Sequence, residues 1–269
     1  MVYEKQKGIN RIVIKIGTSS LTYNTGKLNH RYIEEFVGVV CDLKNIGYEV
    51  VIVSSGAIGA GIGKINLRRK PEETAKKRAL AAIGQISLMA IYEELFNVYE
   101  CRVAQVLLTK SALQDVNNYE SIVNSFSRMF EFGVLPIVNE NDVVASDNVN
   151  SNDLFGDNDT LSAYVAQFLQ ADLLVIFSDI DGLYDKDPRK NADAQFIPVV
   201  TEVNDEIYQM AEGAGTKRGQ GGMLTKLYAA SIAFDAGIDM VITNSSRPEE
   251  LYEIVTGNIA GTLFSAKSE

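Results

Sequence analysis

Residues 11–21 read RIVIKIGTSSL, and the fold follows from how that stretch is read. Four of its first six residues are β-branched, which favours a pleated, buried strand over a helix. A glycine and three small hydroxyl residues then break the run, as a turn leaving a strand requires. The next regular stretch, Tyr32–Leu43, puts Ile33, Phe36, Val37, Val40 and Leu43 on one helical stripe. The repeating unit is therefore a strand, a polar turn and a helix.

Outward from this unit the alternation continues. Val50–Val53, Arg102–Leu107, Val134–Val138, Leu173–Phe177 and Ile238–Ile242 read as further strands. Between them, residues 73–97, Asn118–Phe132, Thr160–Leu169 and Thr225–Ala236 read as helices, the first of them long or broken. Asn118–Phe132 turns Ile122, Phe126, Met129 and Phe130 inward and stops at Gly133. Pro248–Val255 is a last helix with proline in its first turn. Gly182–Asn204, which carries Pro188 and Pro198, is an excursion containing a hairpin. Strands separated by helices predict an α/β fold: a three-layer α/β/α sandwich around a mostly parallel open sheet. No Pro/Ser-rich linker divides the chain, so one domain over 1–269 is expected. Its two lobes would be residues up to about 169, carrying the substrate, and 170–269, carrying a nucleotide.

Composition narrows the function. Of 269 residues, 35 are acidic and 25 basic, a net charge of −10. A surplus of that sign argues against binding nucleic acid, which draws on Lys and Arg. No apolar run approaches the roughly 20 residues of a membrane span, and the N-terminus lacks a secretory signal. Cys41 and Cys101 are far apart and read as buried small hydrophobes in a reducing compartment. The single histidine, His30, reads as a solvated loop residue, so His-cluster metal sites and a usable Ser-His-Asp triad are excluded.

In open α/β sheets ligands bind beyond the carboxyl ends of strands. Four predicted strands end in Gly17-Thr18-Ser19-Ser20, Ser54-Ser55-Gly56, Asn139-Glu140-Asn141-Asp142 and Ser178-Asp179. Such residues present backbone N–H groups and short polar side chains. Gly56, Gly59 and Gly61 match neither the dinucleotide nor the P-loop spacing. They form either a plain turn or, if a helix follows, an anion site. Lys15, in an otherwise apolar strand, is either an edge gatekeeper or a group reaching a phosphate beyond the turn. Lys226 follows a glycine-rich segment from Gly219 and sits at a helix start, either as a solvated lysine or as part of a nucleotide-covering loop. Asp157, Asn158 and Asp159 exceed what capping one helix requires; the surplus suits a site that orients cations.

Several segments resemble the amino acid kinase family, in particular its members that phosphorylate glutamate. They are VIKIGTSSL (13–21), VIVSSGAIGAG (51–61), AAIGQ (81–85), QVLLTK (105–110), GVLPIVNENDVVA (133–145), FGDNDTLSAYVA (155–166), ADLLVIFSDIDGLYDKDPR (171–189) and GQGGMLTKLYAA (219–230). The resemblance implies the open sandwich of that family and ATP-dependent phosphorylation of the L-glutamate side chain, with ATP and Mg2+ as cofactors. It implies Lys15 and Lys226 as phosphate-neutralising lysines and Asp159 as the carboxylate orienting both. Ser55, Asp142 and Asn158 match glutamate-binding positions. Lys15, Gly17, Ser178 and Asp179, together with the segment Gln220, Gly221, Gly222, Met223, Leu224, Thr225 and Lys226, match the ATP site. Gly17 and Gly56 would give N–H groups to the transferring phosphoryl oxygens. Metal ligands are not assigned. A homodimer or tetramer, proline as feedback inhibitor and a cytoplasmic location are implied as well, and the RNA-modification-type PUA domain of many members is not expected. Asn117-Asn118 stands where an arginine is usual, and Gln220 where threonine is. A kinase of the same fold acting on another carboxylate or a carbamate, and a non-catalytic amino-acid sensor, are the alternatives.

Overall fold

The computed structural model describes residues 8–145, 157–212, 222–258 and 260–266. In chain order the elements begin with β1 (Arg11–Ile16), α1 (Thr18–Leu21), α2 (His30–Ile46), β2 (Glu49–Ser54), α3 (Ala57–Lys64) and α4 (Thr74–Val98). They continue with β3 (Val103–Leu108), α5 (Lys110–Gln114), α6 (Val116–Glu131), β4 (Leu135–Glu140), α7 (Asn158–Phe168) and β5 (Leu173–Ser178). The rest are β6 (Leu183–Tyr184), β7 (Phe196–Ile197), β8 (Val199–Val200), α8 (Asp205–Glu212), α9 (Met223–Asp235), β9 (Asp239–Asn244), α10 (Glu250–Val255) and β10 (Thr262–Phe264). They fall into two compact units, 16–147 and 1–15 with 148–269.

In the unit 16–147, β3 and β2 each pair in parallel with β4. Val50–Val53 and Leu135–Val138 are almost fully buried, whereas β3 exposes alternate residues. α2 starts where the Asn29 side chain accepts the Tyr32 N–H and stops at Gly47 in the left-handed region (φ 108°). His30 is therefore the exposed first residue of a helix rather than a loop residue; the asparagine before it supplies the cap. α3 does form after Gly56, and α4 runs unbroken beside it. A Cβ on Gly84 would lie 1.8 Å from the Ala57 carbonyl oxygen, so the two backbones touch. By length and composition α4 matches a membrane-crossing helix, against the expectation of no such run. About 39% of that apolar window is buried, with Leu80, Leu88, Tyr92 and Phe96 on the inward side, and the Tyr92 hydroxyl meets Ser54 Oγ at 3.0 Å.

In the other unit, Ile12–Lys15 of β1 runs parallel to Leu173–Ile176 of β5, and β5 runs parallel to β9 over six residues. β10, absent from the sequence reading, adds antiparallel to β9 and carries β8. The mostly parallel α/β class thus holds with two reversed strands, β10 and β8. The excursion after β5 contains the expected hairpin, β6 with β7, and α8 follows it unforeseen. The units do not follow the division expected at about 169: β1 falls in the unit of the C-terminal residues, where it pairs with β5.

Candidate active site

Lys15 occupies the penultimate position of β1, where the strand is buried, and only 8% of it is exposed. Its Nζ lies 2.6 Å from Asp159 Oδ1. Lys226, on the first turn of α9 and 6% exposed, places its Nζ 3.0 Å from Asp159 Oδ2. The Thr225 hydroxyl reaches the same oxygen at 2.9 Å and the Gly222 carbonyl at 2.8 Å, sharing one proton between them. Two residues 211 positions apart in the chain (15 and 226) thus converge on one carboxylate, and the gatekeeper and solvated-lysine readings are excluded.

The start of α7 explains how the carboxylate becomes available. Asp157 is the N-cap, accepting the Thr160 N–H at 2.8 Å. With the cap filled, Asp159 is free to hold the lysines, in the first turn where the helix dipole favours a negative charge. Burial alone would push the Asp159 carboxyl up; Lys15 and Lys226 outweigh it and hold the group well below the usual carboxylate range. Asp157 goes the other way, pushed up to about 6, first by burial and then by the Asp159 charge. The buried cluster of two ammonium groups and one carboxylate therefore carries a net charge of +1, which the Asp157 carboxylate offsets in part as it ionises above about pH 6. A buried excess charge is costly without a counter-ion, and this one suits an anionic ligand.

Other predicted residues of this unit stand at neighbouring chain ends. Asn158 is the first residue of α7. Ser178 ends β5, is buried, and its carbonyl accepts the Ser245 N–H. Asp179 is exposed and pairs with Arg189 at 2.9 Å. Gly222 caps α9 through its backbone, followed by Met223, Leu224 and Thr225 in the first turn. Gln220 and Gly221 lie outside the described residues. Arg189 was not foreseen; its partner stands ten positions upstream across a loop, where no periodic signal operates.

In the unit 16–147, Gly17 precedes α1 and Gly56 precedes α3, the latter with φ 101°. The Ser55 N–H donates to the Ile16 carbonyl at 2.9 Å. Asp142 lines a cavity of about 520 Å³ together with Glu140, Asn141, Gln105 and Gln85. Burial raises the Asp142 carboxyl, and the Arg78 charge opposes that shift. Asn139, 3% exposed, donates to Gln85 Oε1 at 2.8 Å, and its Oδ1 accepts the Glu140 N–H at 2.9 Å. Gln85 therefore braces the turn that carries Asp142, and Arg78 donates to the Ala145 carbonyl at the far side of that turn. Both were missed as site residues. Gln85 ends the AAIGQ segment, and its position one helical turn beyond Ala81 was the available signal.

Among the described residues no group of three His, Cys, Asp or Glu side chains could hold a metal ion. Both Asp159 oxygens are already engaged by lysines.

The amino acid kinase family profile matches residues 10–244. Glutamate 5-kinase of Clostridium perfringens is 49% identical over 261 residues, covering 97% of each chain. Glutamate 5-kinase of Carboxydothermus hydrogenoformans is 50% identical over 98% of this chain and 70% of its own length. Among solved structures, UMP kinase from Ureaplasma parvum superposes with a TM-score of 0.63 at 16% identity, over 96% of this chain and 99% of that one. The isopentenyl phosphate kinase of T. acidophilum gives a TM-score of 0.63 at 19% identity, over 95% and 100%. These two carry the fold alone. On the profile and on near-complete alignment with glutamate 5-kinases at about half identity, the chain belongs to the amino acid kinase family and has its α/β/α sandwich fold.

Proposed function

We propose that the chain transfers the γ-phosphoryl group of ATP to the side-chain carboxylate of L-glutamate, giving γ-glutamyl 5-phosphate, the first step of proline biosynthesis. The observation that carries this reading is the buried Lys15–Asp159–Lys226 cluster with its net positive charge. Phosphoryl transfer asks the protein for positioning and charge neutralisation more than for covalent chemistry. The attacking glutamate oxygen is already ionised near neutral pH, so no general base is needed. It bonds to the γ-phosphorus as the bond to the bridging oxygen breaks, and ADP leaves with that electron pair. Lys15 and Lys226 neutralise the charge on the transferring group. Asp159 is a positioning residue: with both oxygens engaged and its pKa depressed, it holds the lysines and takes no proton.

Ser55, Asp142 and Asn158 are the proposed glutamate contacts, with Asp142 facing the α-ammonium group. Gly17, Ser178, Asp179 and the segment Gln220–Lys226 are the proposed nucleotide contacts. Mg2+ is assigned to the ATP phosphates, with no protein ligand named and no step routed through it. Assembly as a homodimer or tetramer is supported by exposed apolar residues, Ile86 at 74% and Leu107 at 40%. Free, buried Cys41 and Cys101 fit a reducing cytoplasm. Proline is proposed as a feedback inhibitor.

The test is trapping of the acyl phosphate with hydroxylamine, using ATP, Mg2+ and a panel of amino acids. Hydroxamate from glutamate, reduced when proline is added, is the expected result. Product from aspartate with none from glutamate would overturn the substrate assignment.

A further inference from the structure

The unit 16–147 holds a second cavity, of about 650 Å³, whose lining includes none of the residues assigned above. Four cations line it, Lys27, Arg68, Arg69 and Lys70, and among the described residues no aspartate or glutamate does. In a chain with 35 acidic and 25 basic residues, that is a local reversal of sign. Among the described residues, none of the four side chains makes an ion pair.

The backbone delivers these cations from two directions. α3 ends with the Leu67 N–H on the Ile62 carbonyl at 3.0 Å and the Asn66 N–H on the Gly63 carbonyl at 3.3 Å. Asn66 adopts φ 54°, the left-handed residue that closes this type of helix end. The chain therefore turns sharply, and the run 68–70 comes to line the same cavity as Lys27. Lys27 itself belongs to a tight hairpin, in which the Tyr23 N–H donates to the Lys27 carbonyl at 2.9 Å and Thr22 bridges Leu28.

That hairpin is seated on α3 without an intervening side chain. A Cβ on Gly63 would lie 2.3 Å from the Gly26 carbonyl oxygen and 2.7 Å from the Lys27 nitrogen. Two glycine backbones in contact fix the Lys27 wall relative to the Arg68–Lys70 wall. The concavity is thus preformed, and its charges repel one another with no carboxylate between them. Concave surfaces lined by one sign of charge concentrate counter-ions. Asn24 and Asn66 add amide donors.

We propose that this cavity binds a small oligophosphate. Four converging cations exceed what one carboxylate or one orthophosphate would neutralise, whereas a chain of two or three phosphates matches them. The volume lies within the range of small-molecule sites, about 300–1,000 Å³.

Titration calorimetry with inorganic tripolyphosphate on the full chain tests this. The double substitution Arg68→Ala with Arg69→Ala weakens binding at least about tenfold, in line with two charge-assisted contacts. Lys27→Ala, on the opposite wall, weakens it as well, and Lys226→Ala leaves it within about twofold. These loop cations are exposed, so the fold is not at risk and basal kcat stays unchanged in the loop variants. Comparing ADP with pyrophosphate in the parent and in the Arg68→Ala, Arg69→Ala chain separates sources: a larger loss for ADP indicates a nucleotide, an equal loss the phosphate chain alone. Tripolyphosphate affinity unchanged by both loop variants, or abolished by Lys226→Ala, would overturn the proposal.

Discussion

Asp157 and Asp159 stand two residues apart in one helix start and have opposite physics. Asp159 is ionised by two lysines despite complete burial, and Asp157 is buried next to that charge and accepts backbone N–H groups only in part compensation. Its pKa rises from about 3.8 to about 6, so the folded chain holds that proton more tightly than the unfolded one. The stability this gives is fully present below about pH 3.8 and is lost as pH rises through about 6. Asp159 has the reverse sign, its contribution lost as pH falls below the ordinary carboxylate range. Asparagine caps a helix as well as aspartate does. Asp157→Asn should therefore melt progressively higher than the parent as pH is raised from 4 to 7. A pH-independent difference between their thermal midpoints would refute the burial account. From the sequence the surplus of acidic groups here was legible. Which one caps and which one binds lysines was not, because the deciding partners lie more than 60 positions away.

At the level of elements, glycines decide how closely helices approach. Gly84 of α4 meets Ala57 and Gly61 of α3 backbone to backbone, and a Cβ would fall 1.8 Å from one and 2.3 Å from the other. The obstructing atoms are all backbone, with no side-chain freedom to yield. Overpacking costs about 1–3 kcal/mol or more, so Gly84→Ala should lower the melting temperature by at least about 2 °C. An unchanged midpoint would mean that the helices are not in contact. Strand positions were legible because a β-branched run needs only its own residues: β1 was read at Arg11–Ile16 with no error. α3 was left open between turn and helix, since its glycine content, Gly59, Gly61 and Gly63, suppresses the helical signal that packing against α4 restores. β10 has three residues and no periodicity to read; only its partner β9 makes it a strand.

For the whole molecule, composition and motif excluded most chemistries before any geometry was known, while the spatial pairing of distant segments required the structure. The alternation of strands and helices gave the α/β class. Strand order did not follow from it, and the pairing of β1 with β5 was not read. The same gap hid Gln85 and Arg78, whose roles depend on contacts across 54 and 67 positions. The account turns on a buried positive centre that neutralises a transferring phosphoryl group, and the most direct measurement is steady-state turnover of Lys226→Ala with saturating glutamate and ATP. Loss of one preorganised charge-stabilising group predicts a fall in kcat of about 100-fold or more, with the glutamate KM little changed. Turnover within a few-fold of the parent would contradict it.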